Sequence, residues 1–163
     1  MTSVRDCVRC SATTARGTRC TRTTCIYPGM CYQHFQARNG LKLAPSGIPN
    51  AGLGLFTTRA FQPFRKIAAY TGDIVSDDEW LEDPSDYGVD YDSDHTLDAR
   101  STQSGIARYA NSCREIDRSS NLCRGNNAQL RTTRQNNIIL ETRGSRIPRG
   151  REIFANYGNS YWS

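Results

Sequence analysis

The sequence has no long hydrophobic run. None of its apolar stretches approaches the roughly 18 residues of a membrane span, so no transmembrane helix is predicted. Residues 1–7 lead directly into polar sequence and lack the apolar segment of a secretory signal. Histidine is also scarce, with two residues in 163. The lack of a membrane span and of a secretory signal predicts a soluble intracellular protein.

Acidic residues are nearly missing from the first 50 positions. Asp6 stands there against seven basic residues, whereas residues 51–163 carry 14 basic and 15 acidic side chains. The basic excess favours a polyanion such as nucleic acid, although a solvated face explains it equally well. The bias reverses in residues 73–98, which contain 11 acidic residues and no lysine or arginine. The net charge of +5 therefore conceals strongly charged regions of both signs.

Cysteine is rare outside the N-terminus. Five of the seven cysteines fall within residues 7–31, and only Cys113 and Cys123 lie further along the chain. A secreted disulfide scaffold would spread its cysteines along the chain and carry a signal peptide. A clustered set that ends in Cys31-Tyr-Gln-His34 instead predicts a metal-binding module in residues 1–40.

The N-terminal cluster predicts one structural zinc site, because zinc takes four nitrogen or sulfur ligands in a tetrahedron. Cys31 and His34 form the firmest pair, since two intervening residues suit one turn closing on a metal. The string also resembles a short zinc-binding module frequent in large DNA viruses. That resemblance selects Cys10, Cys20, Cys31 and His34. Cys25 is the first substitute and Cys7 the second. A segment this short needs such a staple to fold, so the zinc is expected to be structural.

Residues 41–163 show the pattern of a mostly β domain. Residues 41–50 contain two prolines and a glycine and are predicted to be a connector. After them come short runs rich in β-branched, leucine or aromatic residues, each bounded by turn formers. The predicted strands are 53–57, 66–70, 96–98, 128–132, 138–142 and 153–155. Two short helices are predicted, at 77–82 with Ser76 as N-cap and at 104–109.

Five motifs follow one another in this domain. Along the chain they are Gly52-Leu-Gly54-Leu-Phe56, Ala68-Ala-Tyr70-Thr-Gly72, Leu97-Asp-Ala99 with Ala107-Arg-Tyr-Ala-Asn111-Ser-Cys113, Asn126-Asn-Ala128, and Arg143-Gly-Ser-Arg-Ile-Pro-Arg-Gly150-Arg-Glu-Ile-Phe-Ala-Asn-Tyr157-Gly158. Together they resemble the SET domain of the protein lysine methyltransferases over residues 43–162. The resemblance implies a β-clip-like fold of small sheets, whose C-terminal segment threads beneath an earlier loop as a pseudoknot.

The resemblance also implies a site for S-adenosylmethionine. The cofactor-binding residues that it implies are Gly52, Leu53, Gly54, Asn111, Ser112, Tyr157 and Trp162. Glycines let the backbone approach a cofactor closely, and the Asn111 amide offers both a donor and an acceptor. Ser112 stands where the family usually has histidine, which puts any role of that histidine side chain in question.

The implied catalytic residues are tyrosines. Tyr157 lies in the family's Tyr-Gly string, and Tyr70 would line the same lysine channel. A phenol near the reacting nitrogen can orient the amine. Deprotonating a lysine of pKa about 10.4 at pH 7 costs roughly 4.6 kcal/mol, which desolvation and a neighbouring sulfonium charge reduce. Ala155 stands where Phe or Tyr is usual, and the extra room predicts di- or trimethylation. Tyr87 and Tyr109 are expected to be ordinary amphipathic strand-edge tyrosines.

The implied activity is transfer of methyl groups to lysine side chains of a protein, foremost a basic histone tail. Such a peptide would add as a strand in a groove bordered by the acidic insert, residues 73–98. A solvated loop explains this insert equally well. The alternative is a non-catalytic, zinc-bearing SET-like module that binds nucleic acid or a protein partner. Weak nucleic-acid contact would then fall to the basic N-terminal module.

The end of the chain bears on assembly. The sequence stops after Trp162, without the cysteine-rich segment that completes the site in many family members. We expect the insert, the zinc module or a second copy of the chain in a homodimer to close the channel instead. The viral resemblance implies a viral protein acting on host chromatin in the nucleus, although no Lys/Arg-rich targeting run is present.

Overall fold

The computed structural model describes residues 4–113 and 125–157. Within these ranges the strands are β1 (Val8–Arg9), β2 (Thr23–Thr24), β3 (Leu41–Pro45), β4 (Leu53–Thr57), β5 (Lys66–Ala69), β6 (Asp73–Ser76), β7 (Gly88–Asp90), β8 (His95–Asp98), β9 (Ala128–Thr132), β10 (Ile138–Thr142) and β11 (Ala155–Asn156). The helices are α1 (Tyr32–Asn39), α2 (Asp77–Glu82) and a 3₁₀ turn at Ala107–Tyr109. The predicted mostly β class is confirmed.

The described strands form small sheets. The largest has the order β11-β9-β10-β5, and β11 runs parallel to β9 while the other pairs are antiparallel. The remaining sheets are β1-β2, β3-β4 and β6-β8-β7. β10 is buried along its whole length because it lies between two neighbours at the centre of the largest sheet. A continuous Ile-Ile-Leu run is typical of such a strand.

Most strand predictions agree with the structure. The predicted bounds of β4, β9 and β10 are reproduced, and those of β5 and β8 differ by one residue. The last predicted strand, 153–155, is shifted to Ala155–Asn156. The second predicted helix, 104–109, shrinks to the 3₁₀ turn.

The predicted connector is wrong for its first half. Leu41–Pro45 forms β3, which pairs along its length with β4. Leu41 is fully buried, so the strand is anchored to the core at its first residue. Pro45 occupies the last position of the strand, and proline is tolerated in an edge strand because its missing N–H is not needed there. The irregular segment that the Pro and Gly residues predict therefore begins only after β3.

The loop interpretation of the acidic insert is also wrong. Residues 73–98 form the antiparallel sheet β6-β8-β7 together with α2. The predicted helix is confirmed with its cap, because the Ser76 side chain accepts a hydrogen bond from the N–H of Glu79 at 3.2 Å. Acidic residues fill the first turn of α2, where they complement the helix dipole. The insert is thus an ordered element.

The N-terminal module packs against the rest of the chain. The N–H of Val4 donates to Arg100 O at 2.8 Å, and the Gln103 side chain accepts from the N–H of Gly29 at 2.8 Å. The Tyr27 hydroxyl accepts from the N–H of Leu43 at 2.8 Å. The module therefore contacts the segment that leads into the 3₁₀ turn.

The C-terminal segment lies between two earlier parts of the chain. The N–H of Ala155 donates to Asn111 O at 2.8 Å on one side, and β11 pairs with β9 on the other. The Asn127 side chain fixes this segment by donating to Glu152 O and accepting from the N–H of Phe154, each at 2.9 Å. Residues 114–124 lie outside the described ranges, so the threaded pseudoknot stays a prediction.

Candidate functional site

Residues from four segments converge on one site. The side-chain nitrogen of Asn111 donates to Leu53 O at 3.1 Å, which joins the first residue of β4 to the segment that follows the 3₁₀ turn. The Tyr157 hydroxyl donates to Ala110 O. The rings of Tyr70 and Tyr157 meet edge to face with centroids 6.4 Å apart. Most of the predicted site residues are thus neighbours, and Ser112 follows Asn111 in a half-buried position. Trp162 lies outside the described residues.

The two glycines of the first motif have different surroundings. Gly52 has φ +71° and is exposed, and a Cβ placed on it would meet no atom of the described residues within 4 Å. Gly54 is buried, and a Cβ there would overlap the carboxylate of Glu152 and lie 3.3 Å from the ring of Phe56. Open space in front of the backbone therefore exists at Gly52, whereas Gly54 is required by packing against Glu152.

The carboxylate of Glu152 contacts several segments of this region, although its sequence context did not mark it as a site residue. One carboxylate oxygen accepts from the Ser46 hydroxyl at 2.5 Å, and the other accepts from the N–H of Gly47 at 2.9 Å. Asn111 Nδ2 lies 3.5 Å from the first oxygen. The side-chain nitrogen of Asn111 therefore has partners within the fold. In the sequence, the only local signal for this role is an acidic residue in the Arg151-Glu152-Ile153 string.

A small cavity lies beside Tyr157. Its volume is about 130 Å³, and its walls include Val89, Leu130 and Ile138, with Asp90 at the exposed end. Val89 and Asp90 belong to β7, which is an edge strand of its sheet. Arg131 and Thr132 also line the cavity, so its wall is mixed, with an apolar side formed by Val89, Leu130 and Ile138. An aliphatic chain that ends in a polar group can pack along that apolar side.

Tyr70 is a wall residue of the site. Its side chain is 2% exposed, and its hydroxyl donates to Tyr87 O at 3.0 Å. Tyr87 in turn stacks on the guanidinium of Arg108, whose central carbon lies 3.9 Å from the ring centroid.

Arg108 is buried next to two tyrosines. Its guanidinium carbon also lies 4.8 Å from the Tyr109 ring centroid, and its Nη1 donates to the Tyr109 hydroxyl at 3.1 Å. Arg108 Nη2 also donates to Arg100 O at 3.1 Å. Burial raises the pKa of Tyr109, and the neighbouring Arg108 charge partly offsets that rise. The expectation that Tyr87 and Tyr109 are ordinary strand-edge tyrosines is therefore wrong, because the rings of both lie close to the buried guanidinium of Arg108.

The predicted metal ligands also converge. The ligand atoms of Cys10, Cys20, Cys31 and His34 all lie within 4.8 Å of one another. The His34 Nδ1 atom lies 3.2 Å from the Cys31 sulfur and 3.5 Å from the Cys10 sulfur. Zn–S bonds of about 2.3 Å in a tetrahedron place sulfurs about 3.8 Å apart, so the cluster fits zinc with little movement. The four residues can hold a metal ion.

Local structure positions these ligands. Cys10 directly follows β1, and the chain then reverses through a turn closed by Gly17 at φ +77° before returning to Cys20. Cys31 is the N-cap residue of α1, and His34 lies in the first turn of that helix. The structure thus confirms the expected turn between Cys31 and His34.

The pKa values of the four predicted ligands shift in different directions. Burial raises the pKa of the Cys10 thiol, but hydrogen bonds from the backbone of Cys31 and Ala12 and from His34 lower it to about 6. Hydrogen bonds to Cys10 and Cys31 raise the pKa of His34. A hydrogen bond with the Arg22 backbone lowers the pKa of Cys20, but burial and the neighbouring Cys10 raise it further, so its net shift is upward. Zinc binds thiolates and neutral imidazole, so its binding would release the protons that Cys20 and His34 hold.

The two remaining cysteines of the module are bonded to each other. Cys7 and Cys25 form a disulfide, which the sequence argument did not predict. Cys25 is therefore not a substitute ligand, and neither is Cys7. Of six candidates for four positions, the structure leaves the four that converge.

Among the described residues, no helix is long and apolar enough to cross a membrane.

The chain matches no known protein-family model, and no curated protein is similar to it.

Proposed function

We propose that this protein transfers methyl groups from S-adenosylmethionine to lysine side chains of a basic protein, with a structural zinc ion in its N-terminal module. The observation that carries the proposal is the convergence of Leu53, Asn111, Tyr70 and Tyr157 from distant parts of the chain. These are the residues that the resemblance to the SET family selects for cofactor and lysine.

The turn at Gly52 fits the cofactor. The exposed backbone at φ +71° has open space where a side chain would project. Gly52, Leu53 and Ser112 would hold the cofactor, and Asn111 would act by fixing the Leu53 carbonyl. When bound, S-adenosylmethionine supplies a methyl group on a positively charged sulfur.

Tyr157 would orient the lysine nitrogen. Its hydroxyl is held by the Ala110 carbonyl, so the phenol has a fixed direction. The buried ring of Tyr70 supports Tyr157 from the side and excludes water. Where the lysine side chain packs against Val89, Leu130 and Ile138, loss of solvent would favour the neutral amine, which is the nucleophile.

The acidic insert supports a basic substrate. β7 presents a free edge next to the cavity, and an extended peptide can pair with such an edge. Asp90 stands at the exposed end of that strand, and the insert contributes 11 acidic residues in all. A histone tail has the matching positive charge. Ala155 keeps the predicted preference for di- or trimethyl products, which mass spectrometry of the product tests.

The zinc ion would stabilise the module that packs on residues 100–103. Its ligand set of three cysteines and one histidine is typical of structural zinc, which has no open position for a substrate.

Methyl transfer from labelled S-adenosylmethionine onto mixed histones tests the proposal. Wild type is compared with Tyr157→Phe and with Tyr32→Phe, in which an exposed tyrosine distant in sequence loses its hydroxyl. We expect labelling by wild type and Tyr32→Phe and its loss in Tyr157→Phe. Absence of labelling together with absence of cofactor binding in calorimetry would overturn the proposal and favour the zinc-bearing interaction module.

A further inference from the structure

We propose that a basic ribbon on this protein binds single-stranded nucleic acid, independently of methyl transfer. The basic ribbon consists of residues 59–66 and 143–151, which run antiparallel. Phe61 and Ile147 exchange two backbone hydrogen bonds of 2.9 Å, and the N–H of Phe64 donates to Arg143 O at 3.2 Å. Its basic residues are Arg59, Arg65, Lys66, Arg143, Arg146, Arg149 and Arg151. It contains no acidic residue.

The charges of the basic ribbon are not neutralised within the described parts of the chain. All seven side chains are exposed, and none lies within 4.0 Å of a described carboxylate. Other arginines behave differently, since Arg100 pairs with Asp98 at 2.6 Å and Arg131 pairs with Glu141 at 2.8 Å. An uncompensated strip of cations attracts a polyanion, and counterion release then drives binding.

A cleft in the ribbon offers room for a ligand. Its volume is about 1030 Å³, and Arg143, Arg146 and Arg151 line it together with half-buried Phe56 and Phe154. Glu152 also lines it, but its carboxylate is buried and accepts hydrogen bonds from Ser46 and Gly47. Arginine matches the geometry of phosphate, and aromatic rings present flat surfaces to bases. Both parts of a nucleotide therefore find partners in one cleft.

Phe64 gives the strongest indication that the bound nucleic acid is single-stranded. Its side chain is 72% exposed at φ +54°, a backbone region that disfavours bulky residues. The tip of its ring lies 3.6 Å from where a Cβ on Gly144 would stand, at the border of the cleft. This phenylalanine is not part of the core, and a strained residue at the surface supports a functional hypothesis. An exposed ring among arginines suits stacking on a base, which a duplex does not present.

Fluorescence anisotropy of a labelled 20-nucleotide oligothymidine tests the inference, using the full zinc-loaded chain over a range of salt concentrations. Replacing both Arg143 and Arg146 by Gln should remove two phosphate contacts. The slope of log affinity against log salt should then fall by about 1.4. Phe64→Asn should weaken binding about tenfold without lowering thermal stability, because asparagine tolerates positive φ.

A matched control removes the same charge elsewhere. The double variant Arg16→Gln, Arg38→Gln lies in the basic N-terminal module, where both side chains are exposed. We expect its affinity to equal that of wild type. The inference is overturned if this control loses as much affinity as the cleft variant. It is also overturned if wild type does not bind the oligonucleotide, or if a duplex binds as tightly and Phe64→Asn has no effect. Methyl transfer is not measured here, so either proposal can fail alone.

Discussion

The side-chain nitrogen of Asn111 lies 3.1 Å from the carbonyl oxygen of Leu53, although 57 residues separate them in the chain. This bond ties the turn that carries Gly52 to the segment that carries Ser112. The same nitrogen atom lies 3.5 Å from a carboxylate oxygen of Glu152. The shape of the proposed cofactor site therefore depends on a polar contact that no local sequence pattern encodes.

Replacing Asn111 with Ala should lower both the free energy of unfolding and the affinity for the cofactor. The variant loses one hydrogen bond, so we expect a loss of about 1 kcal/mol in the free energy of unfolding. Cofactor affinity should fall as well, because the Leu53 carbonyl is released. Asn39→Ala is a matched control, since Asn39 also donates to a backbone carbonyl, Phe35 O, at 3.1 Å. Denaturant unfolding and calorimetry should show equal stability losses and weaker cofactor binding in Asn111→Ala alone.

Gly54→Ala should be destabilising through Glu152. The added methyl group would overlap the carboxylate, and overpacking of this kind costs about 1–3 kcal/mol. Combination with Glu152→Ala removes the obstacle, so the double variant should lose less than the sum of the single losses. Gly52→Ala should instead be additive with Glu152→Ala, because its new methyl group would meet open space. Equal coupling energies at both glycines in urea titrations would refute this assignment.

The zinc content of cysteine variants should distinguish the cysteines that bind the metal from those that form the disulfide. Cys20→Ser removes one ligand, so elemental analysis should find no stoichiometric zinc. Replacing both Cys7 and Cys25 by Ser should leave one zinc per chain. The second variant loses about 3 kcal/mol of stability, by the loop-closure estimate for a crosslink of this span. Loss of zinc from it would contradict the ligand set.

The acidic insert should contain a pH-sensitive contact. His95 Nδ1 lies 2.8 Å from an Asp92 oxygen, and this hydrogen bond raises the pKa of His95, with further support from the charges of Asp92, Asp94 and Asp77. A raised histidine pKa contributes stability that is fully present below pH 6.5 and is lost as pH rises through the folded pKa. Asp92→Asn should move the NMR titration midpoint of His95 downward. An unchanged titration midpoint would show that the hydrogen bond between His95 and Asp92 does not form in solution.

The sequence by itself determined the elements whose causes are local. Alternation and apolar runs fixed β4, β9 and β10, and the Ser76 cap with its acidic first turn fixed α2. Cys31 and His34 were predictable because one helical turn brings residues three apart to the same side.

Tertiary structure decided whatever depends on partners that are remote in the chain. β3 is a strand because β4 pairs with it, and the acidic insert is a sheet because β8 joins β6 to β7. Likewise, Gly54 is required by the carboxylate of Glu152. Buried polar groups must find hydrogen-bond partners wherever the fold places them, and those partners are specified only when distant segments meet.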